Sequence, residues 1–145
     1  MKSYERGNHP YIFLVEDDID DQELLKEAIY SLNQSIDIRT VNNGKKAINI
    51  LENIDPAHNP CLIIIDYNLP ELSGAQVLEH MNKMKQFDGV AKIVWSTSNS
   101  PVYEQLCLDL GAKAYIVKPN SLSGINQLAE RVLEMCGIRK EVTRN

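Results

Sequence analysis

The chain has 145 residues, 43% of them hydrophobic and 24% charged, with a net charge of −5 and an isoelectric point near 5.2. That length holds one domain with a core of its own and little besides. The acidic balance argues against a nucleic-acid surface, which needs a basic face. The longest apolar runs, YIFLV and CLIII, are too short to span a bilayer, and MKSYERGNHP lacks the apolar stretch of a signal peptide, so neither nucleic acid nor membrane is an expected partner and the expected location is the cytoplasm.

In chain order, an N-terminal extension over 1–10 leads into a first strand, YIFLV (11–15), which runs into Glu16, Asp17 and Asp18. Leu24, Leu25, Ala28, Ile29 and Leu32 then recur at helical spacing. IDIRTV (36–41) predicts a second strand, and Ala47, Ile48 and Leu51 a second helix. NIDPAHNP reads as a surface loop, CLIII (61–65) as a third strand ending on Asp66, and Val77, Leu78 and Met81 as a third helix. AKIVW (91–95) leads to Ser96, Thr97 and Ser98, and a fourth helix from Pro101 to Leu110 stops at Gly111. AKAYIV (112–117) runs into Lys118 and Pro119, and the stripe Ile125, Leu128, Ala129, Val132, Leu133 and Cys136 makes a fifth helix. The domain body spans 11–137, and residues 138–145 read as a frayed tail. Cys61, Cys107 and Cys136 are widely spaced and form no C-x-x-C, so they read as buried free thiols. His9, His58 and His80 never meet at ligand spacing and read as surface residues.

Strands that are apolar throughout need cover on both faces, and five β-α units with right-handed crossovers supply it. The expectation is a three-layer (βα)5 α/β fold around a parallel five-stranded sheet.

Ligands of such sheets bind beyond the carboxyl ends of the strands. Those ends carry Glu16 and Asp17, Asp66, Ser96 and Lys118. A cluster of like charges needs a neutralising cation, and carboxylate oxygens without His or Cys partners suit Mg²⁺, which keeps open positions for phosphoryl oxygens. A carboxylate beside Mg²⁺ and a lysine can act as nucleophile toward phosphorus, giving an aspartyl-phosphate, and Asp66 stands where a rigid strand presents it. No G-x-x-x-x-G-K-[ST] or G-x-G-x-x-G is present, which disfavours direct nucleotide binding.

With FLVEDD, IIIDYNLPELSG, IVWSTS and AYIVKP in this order and spacing, the chain resembles a response-regulator receiver domain of two-component signalling over about Tyr11 to Cys136. The resemblance implies a flavodoxin-like sheet of order 2-1-3-4-5. It also implies Asp66 as phosphoacceptor, Asp17 as direct Mg²⁺ ligand, Glu16 as its water-linked neighbour and Asn68 as donor of a backbone carbonyl to the metal. Ser96 corresponds to the switch hydroxyl, Tyr115 to the aromatic that turns inward with it, and Lys118 to the phosphoryl-pairing lysine, with the Lys118–Pro119 bond expected to be cis. The function implied is that of a single-domain response regulator, not an enzyme. It takes a phosphoryl group from a histidine kinase or phosphotransfer protein, then binds a downstream protein target through the surface of its fourth helix, fifth strand and fifth helix. That surface is also where a homodimer is expected. Thr97 departs from the family pattern, which favours a smaller residue there, and Ser98 lacks the reach of Glu or Gln to hold a hydrolytic water, so slow autodephosphorylation is expected. A phosphatase of the haloacid-dehalogenase type would want an acid at position 68, where Asn68 stands, and a flavodoxin-like flavin carrier would not want an acidic rim.

Overall fold

The computed structural model describes residues 9–141, so the start of the expected extension and the end of the expected tail lie outside the described residues. In chain order the strands are β1 (Tyr11–Val15), β2 (Asp37–Val41), β3 (Leu62–Asp66), β4 (Ala91–Ser96) and β5 (Ala114–Val117), alternating with helices α1 (Ile19–Leu32), α2 (Gly44–Glu52), α3 (Gly74–Met81), α4 (Pro101–Asp109) and α5 (Leu122–Met135). The sheet is parallel throughout, in the order β2-β1-β3-β4-β5. No described helix is long and apolar enough to cross a membrane.

The pleat sends alternate residues to opposite faces and so divides the core in two. Phe13, Ile63, Ile65 and Val94 pack with Ala47, Leu51, Val77, Leu78 and Cys107 under α2, α3 and α4. Ile12, Leu14, Ile64 and Trp95 pack with Leu25, Ile29, Leu128 and Val132 under α1 and α5. The central strands β1 and β3 are buried along their whole length, whereas β2 alternates and β5 is only half-buried. Leu24 departs from the predicted helical stripe. It sits next to Leu25, about 100° round the helix, and points to solvent at 48% exposure.

Each helix starts directly past the rim of the sheet, because the residue before it can accept a hydrogen bond from a first-turn N–H. Asp18, Asn43, Ser73, Ser100 and Ser121 fill that role, and Ser73 forms a reciprocal pair with Gln76. Gly111, with φ of 97°, ends α4 as the sequence implied: Gly111 N–H donates to Leu108 O and Ala112 N–H to Cys107 O. The stretch read as a surface loop contains one short 3₁₀ turn, Pro56–His58, and the β4 approach a second, Lys85–Phe87. His9, His58 and His80 are exposed.

The tail is not frayed where it is described. Glu141 N–H donates to Leu32 O, its carboxylate accepts from Gln34 N–H and Ser35 Oγ, and Asn33 Nδ2 donates to Arg139 O. Backbone groups at the end of α1, Leu32 O and Gln34 N–H, thus find partners on Glu141, 107 or more residues away along the chain, which composition cannot show.

Gly74 is fixed by closeness. A Cβ there would lie 2.6 Å from Asp66 O and 2.9 Å from Tyr67 Cα. Gly74→Ala is predicted to cost about 1–3 kcal/mol, since neither strand nor helix can yield. Urea unfolding measures it, and a loss under about 0.5 kcal/mol would mean that the turn relaxes freely.

Candidate functional site

β1 and β3 are neighbours in register, Val15 beside Ile65, so Glu16 and Asp66 emerge side by side at the same end of the sheet. Both are buried, at 0% and 4% exposure. Asp17, the next residue, is exposed. One carboxylate oxygen from each of Glu16, Asp17 and Asp66 lies within 4.8 Å of the others, an oxygen-only group of the kind that holds a hard cation.

Lys118, leaving β5, reaches back over the rim. Its Nζ lies 2.8 Å from Asp21 Oδ2, 3.0 Å from Glu16 Oε1 and 3.5 Å from Asp66 Oδ2. The Asp21 contact is a hydrogen bond, whereas the Glu16 contact is short but poorly angled, leaving Glu16 Oε1 without a hydrogen-bond partner. Lys118 Nζ also stands 4.8 Å from the centre of the Trp95 ring, and Trp95 pairs in register with Asp66. The remaining carboxylate oxygens are held by backbone: Glu16 Oε2 accepts from Asp18 N–H and Asp66 Oδ1 from Asn68 N–H. A cavity of about 540 Å³ opens here, lined by Asp17, Asp21, Asp66, Asn68, Thr97 and Lys118 among others.

The expected cis bond is absent. The Lys118–Pro119 bond is trans, like every other described peptide bond, in keeping with the ordinary preference of X–Pro bonds. The lysine is aimed by its backbone N–H, which donates to Ser96 O at 2.7 Å, and by its carboxylate partners.

Ser96 is buried and its Oγ accepts from Ser98 N–H; Ser98 Oγ accepts from Ser100 N–H, and Ser100 Oγ caps α4 by accepting from Tyr103 N–H. Tyr115 is half-buried against the core, and its hydroxyl donates to Ser98 O at 2.8 Å. A run of hydroxyls thus joins the rim to the start of α4.

Three further features escaped the sequence reading. Asp21 looks like an ordinary first-turn acid of α1, and nothing local says that it faces a lysine 97 residues on. Tyr67, just after Asp66, stacks on Tyr103 of α4 with ring centres 4.4 Å apart. Glu71 sits at φ of 70° in a turn closed by Leu72 N–H to Pro70 O, a strained backbone for a residue with a Cβ. Only the neighbouring Pro70 hinted at the turn.

The electrostatics follow from burial. Burial pushes the Glu16 carboxyl up to about 7 from 4.5, and the Asp66 charge adds to this while Asp18 N–H and Lys118 oppose it. Burial likewise raises Asp66 despite Lys118. For Lys118, burial works against its charge, but the hydrogen bond to Asp21, the ion pair with Glu16 and the Asp66 charge outweigh it and hold the ammonium protonated.

A parallel sheet in this order with a polar pocket past its strand ends defines the flavodoxin-like class of α/β proteins. Within that class the chain belongs to the response regulator receiver domain family, whose pattern matches residues 12–130. Such domains are signalling modules of two-component systems that interact with histidine kinases or phosphotransfer proteins. Among curated proteins it is similar to the two-component response regulator ORR3 of Oryza sativa, 29% identical over 124 residues, covering 86% of this chain and 91% of that one. Among solved structures it is similar to the phosphorylated cyanobacterial phytochrome response regulator RcpA, with a TM-score of 0.77, 31% identity, and coverage of 87% of this chain and 92% of that one. The Mn²⁺-bound response regulator Rcp1 shares the fold at a TM-score of 0.77 and 22% identity, covering 94% of this chain and 99% of that one.

Because the folded Glu16 carboxyl titrates near 7 and the unfolded one near 4.5, the folded state holds the extra proton between those values. Glu16's contribution to stability is therefore full below pH 4.5, is lost as pH rises to 7, and is flat above, a loss of about 3 kcal/mol. In EDTA, denaturant unfolding should show Glu16→Gln less sensitive than wild type to pH across this window. Equal slopes would assign the titration elsewhere.

Proposed function

We propose that this receiver domain accepts a phosphoryl group on Asp66 from the phosphohistidine of a histidine kinase or phosphotransfer protein. The observation that carries the reading is Asp66 itself: a buried carboxylate at a strand end, with a lysine ammonium 3.5 Å from one oxygen and a backbone N–H on the other. In the reaction an Asp66 oxygen forms the bond to phosphorus while the phosphorus–nitrogen bond of the donor breaks, its electron pair leaving on the imidazole. Lys118 exchanges a carboxylate contact for a phosphoryl oxygen, keeping its charge compensated throughout.

The donor set suits Mg²⁺: oxygens only, and in Glu16 Oε1 a buried acceptor lacking a hydrogen-bond partner. Asp17, Asp66 and the Asn68 carbonyl would hold the ion, with Glu16 linked through water. When bound, Mg²⁺ supplies positive charge to the phosphoryl oxygens.

In this reading Ser96 leaves Ser98 N–H to donate to the phosphoryl group, and Tyr115, tied to the same Ser98, adjusts with it. The change reaches α4, β5 and α5, where Val102, Leu106, Val117 and Leu122 expose apolar side chains to a downstream protein target. A homodimer would use the same face. The likeness to plant response regulators and to a phosphorylated phytochrome response regulator supports the chemistry without selecting a kinase.

Asp66→Asn should abolish phosphate incorporation from a small phosphodonor, as its amide is no nucleophile. Wild-type labelling should require Mg²⁺ and change Trp95 fluorescence. Full labelling of Asp66→Asn would overturn the assignment of Asp66, and undiminished labelling of wild type in EDTA that of the metal.

The phosphorylated state should be long-lived. Thr97 lines the cavity, where its branched side chain crowds the approach of a water, and the Ser98 hydroxyl, held by Ser100 N–H, lacks the reach of a Glu or Gln to orient one. Ser98→Glu is predicted to shorten the half-life roughly tenfold, equivalent to about 1.4 kcal/mol in the barrier. Decay is followed after removal of the phosphodonor, and an unchanged rate would show that residue 98 does not limit hydrolysis.

A further inference from the structure

Asp21 stands apart from the acids assigned to phosphoryl transfer and to the metal, yet it holds the best contact that Lys118 makes. Its Oδ2 accepts from Lys118 Nζ at 2.8 Å, whereas the Glu16 contact at 3.0 Å is poorly angled and Asp66 Oδ2 lies 3.5 Å away. The pair is partly shielded from water, the Lys118 side chain being 10% exposed and that of Asp21 29%. Asp21 is also fixed from its own side. Its N–H donates to Asp18 Oδ1 in the first turn of α1, and Gln22 Nε2 donates to Glu16 O at 2.6 Å, tying that turn to the end of β1. Leu25 and Ile29 then anchor the helix in the core. With its base held and a short side chain, Asp21 cannot follow Lys118 across the cavity. Among the described residues Lys118 is the one cation lining that cavity, against Asp17, Asp18, Asp20, Asp21 and Asp66.

We propose that Asp21 is a positioning residue that acts through Lys118, an inference that rests on Asp66 being the phosphoacceptor. Asp21 holds the ammonium on the α1 side of the cavity in the unphosphorylated domain and competes for it with the phosphoryl group. An ammonium has three N–H donors, and here they face three carboxylates. To reach a phosphoryl oxygen Lys118 must loosen one of these contacts, and the charge-assisted hydrogen bond to Asp21 is the strongest of them. The Asp21 carboxylate also repels an anion entering the cavity that it lines. Both effects have the same sign. Asp21 stabilises the unphosphorylated state over the phosphorylated one, and by linkage what it adds to the first is taken from the affinity of the site for a phosphoryl group or a mimic of it. The opposite role, a carboxylate that aims Lys118 at the phosphoryl group, would make the loss of Asp21 weaken that affinity.

The test uses the full chain in Mg²⁺, titrated with beryllofluoride as the phosphoryl mimic and followed by Trp95 fluorescence, since Lys118 Nζ stands 4.8 Å from the ring centre. Asp21→Asn keeps the shape of the side chain and removes its charge, and should lower the half-saturating beryllofluoride concentration roughly fivefold. Asp20→Asn removes the same charge from an exposed neighbour that forms no ion pair with Lys118, and should change it by less than about twofold. Without Mg²⁺ or mimic, the Lys118 ammonium protons, followed by NMR, should exchange with water several-fold faster in Asp21→Asn than in wild type. Weaker or unchanged beryllofluoride binding by Asp21→Asn, equal shifts in the two variants, or unchanged proton exchange would each overturn the proposal while leaving Asp66 in its role. Wild type that binds beryllofluoride no better than Asp66→Asn would instead overturn the phosphoacceptor reading, and the competition with it.

Discussion

Two carboxylates, Glu16 and Asp66, are buried beside each other at the end of the sheet, and Lys118 answers both. Burying like charges opposes folding, and an attraction to a single lysine offsets only part of that. Elements that could relax would separate the acids. β1 and β3 cannot, because both are buried along their length and locked in register by the ladder between them. The core therefore holds the electrostatic strain, and the site is charged because the sheet is rigid. A site of this kind carries a fold-stability cost for its chemistry, and the elevated Glu16 titration is the trace of it.

The same logic divides the molecule into a part that stays and a part that can move. β1, β3 and the two core clusters carry the fixed acids, whereas α4 buries only Cys107 and β5 is half-buried. Low burial gives a low local cost of rearrangement. The serine run from Ser96 to Ser100 and the Tyr115 hydroxyl attach this loosely packed edge to the rim by hydrogen bonds, which exchange partners more readily than packed side chains do. The Tyr67–Tyr103 stack adds a second tie, from the residue after Asp66 to the first turn of α4. A charge added at Asp66 would thus have two short routes to one lightly buried helix.

What could be read from the chain beforehand was whatever repeats along it. Apolar runs and helical stripes located every strand and helix within a few residues, because burial on a pleat or a helix face leaves a period. The rim acids were legible for a related reason: a strand that ends on a charge advertises which end faces the ligand. Long-range partners leave no period. Asp21 meeting Lys118 and Glu141 meeting the end of α1 arise only when the chain closes on itself, and each pair lies 97 or more residues apart. The cis bond was expected from the family resemblance and is not there; hydrogen bonds supplied by the fold set the direction of Lys118 instead.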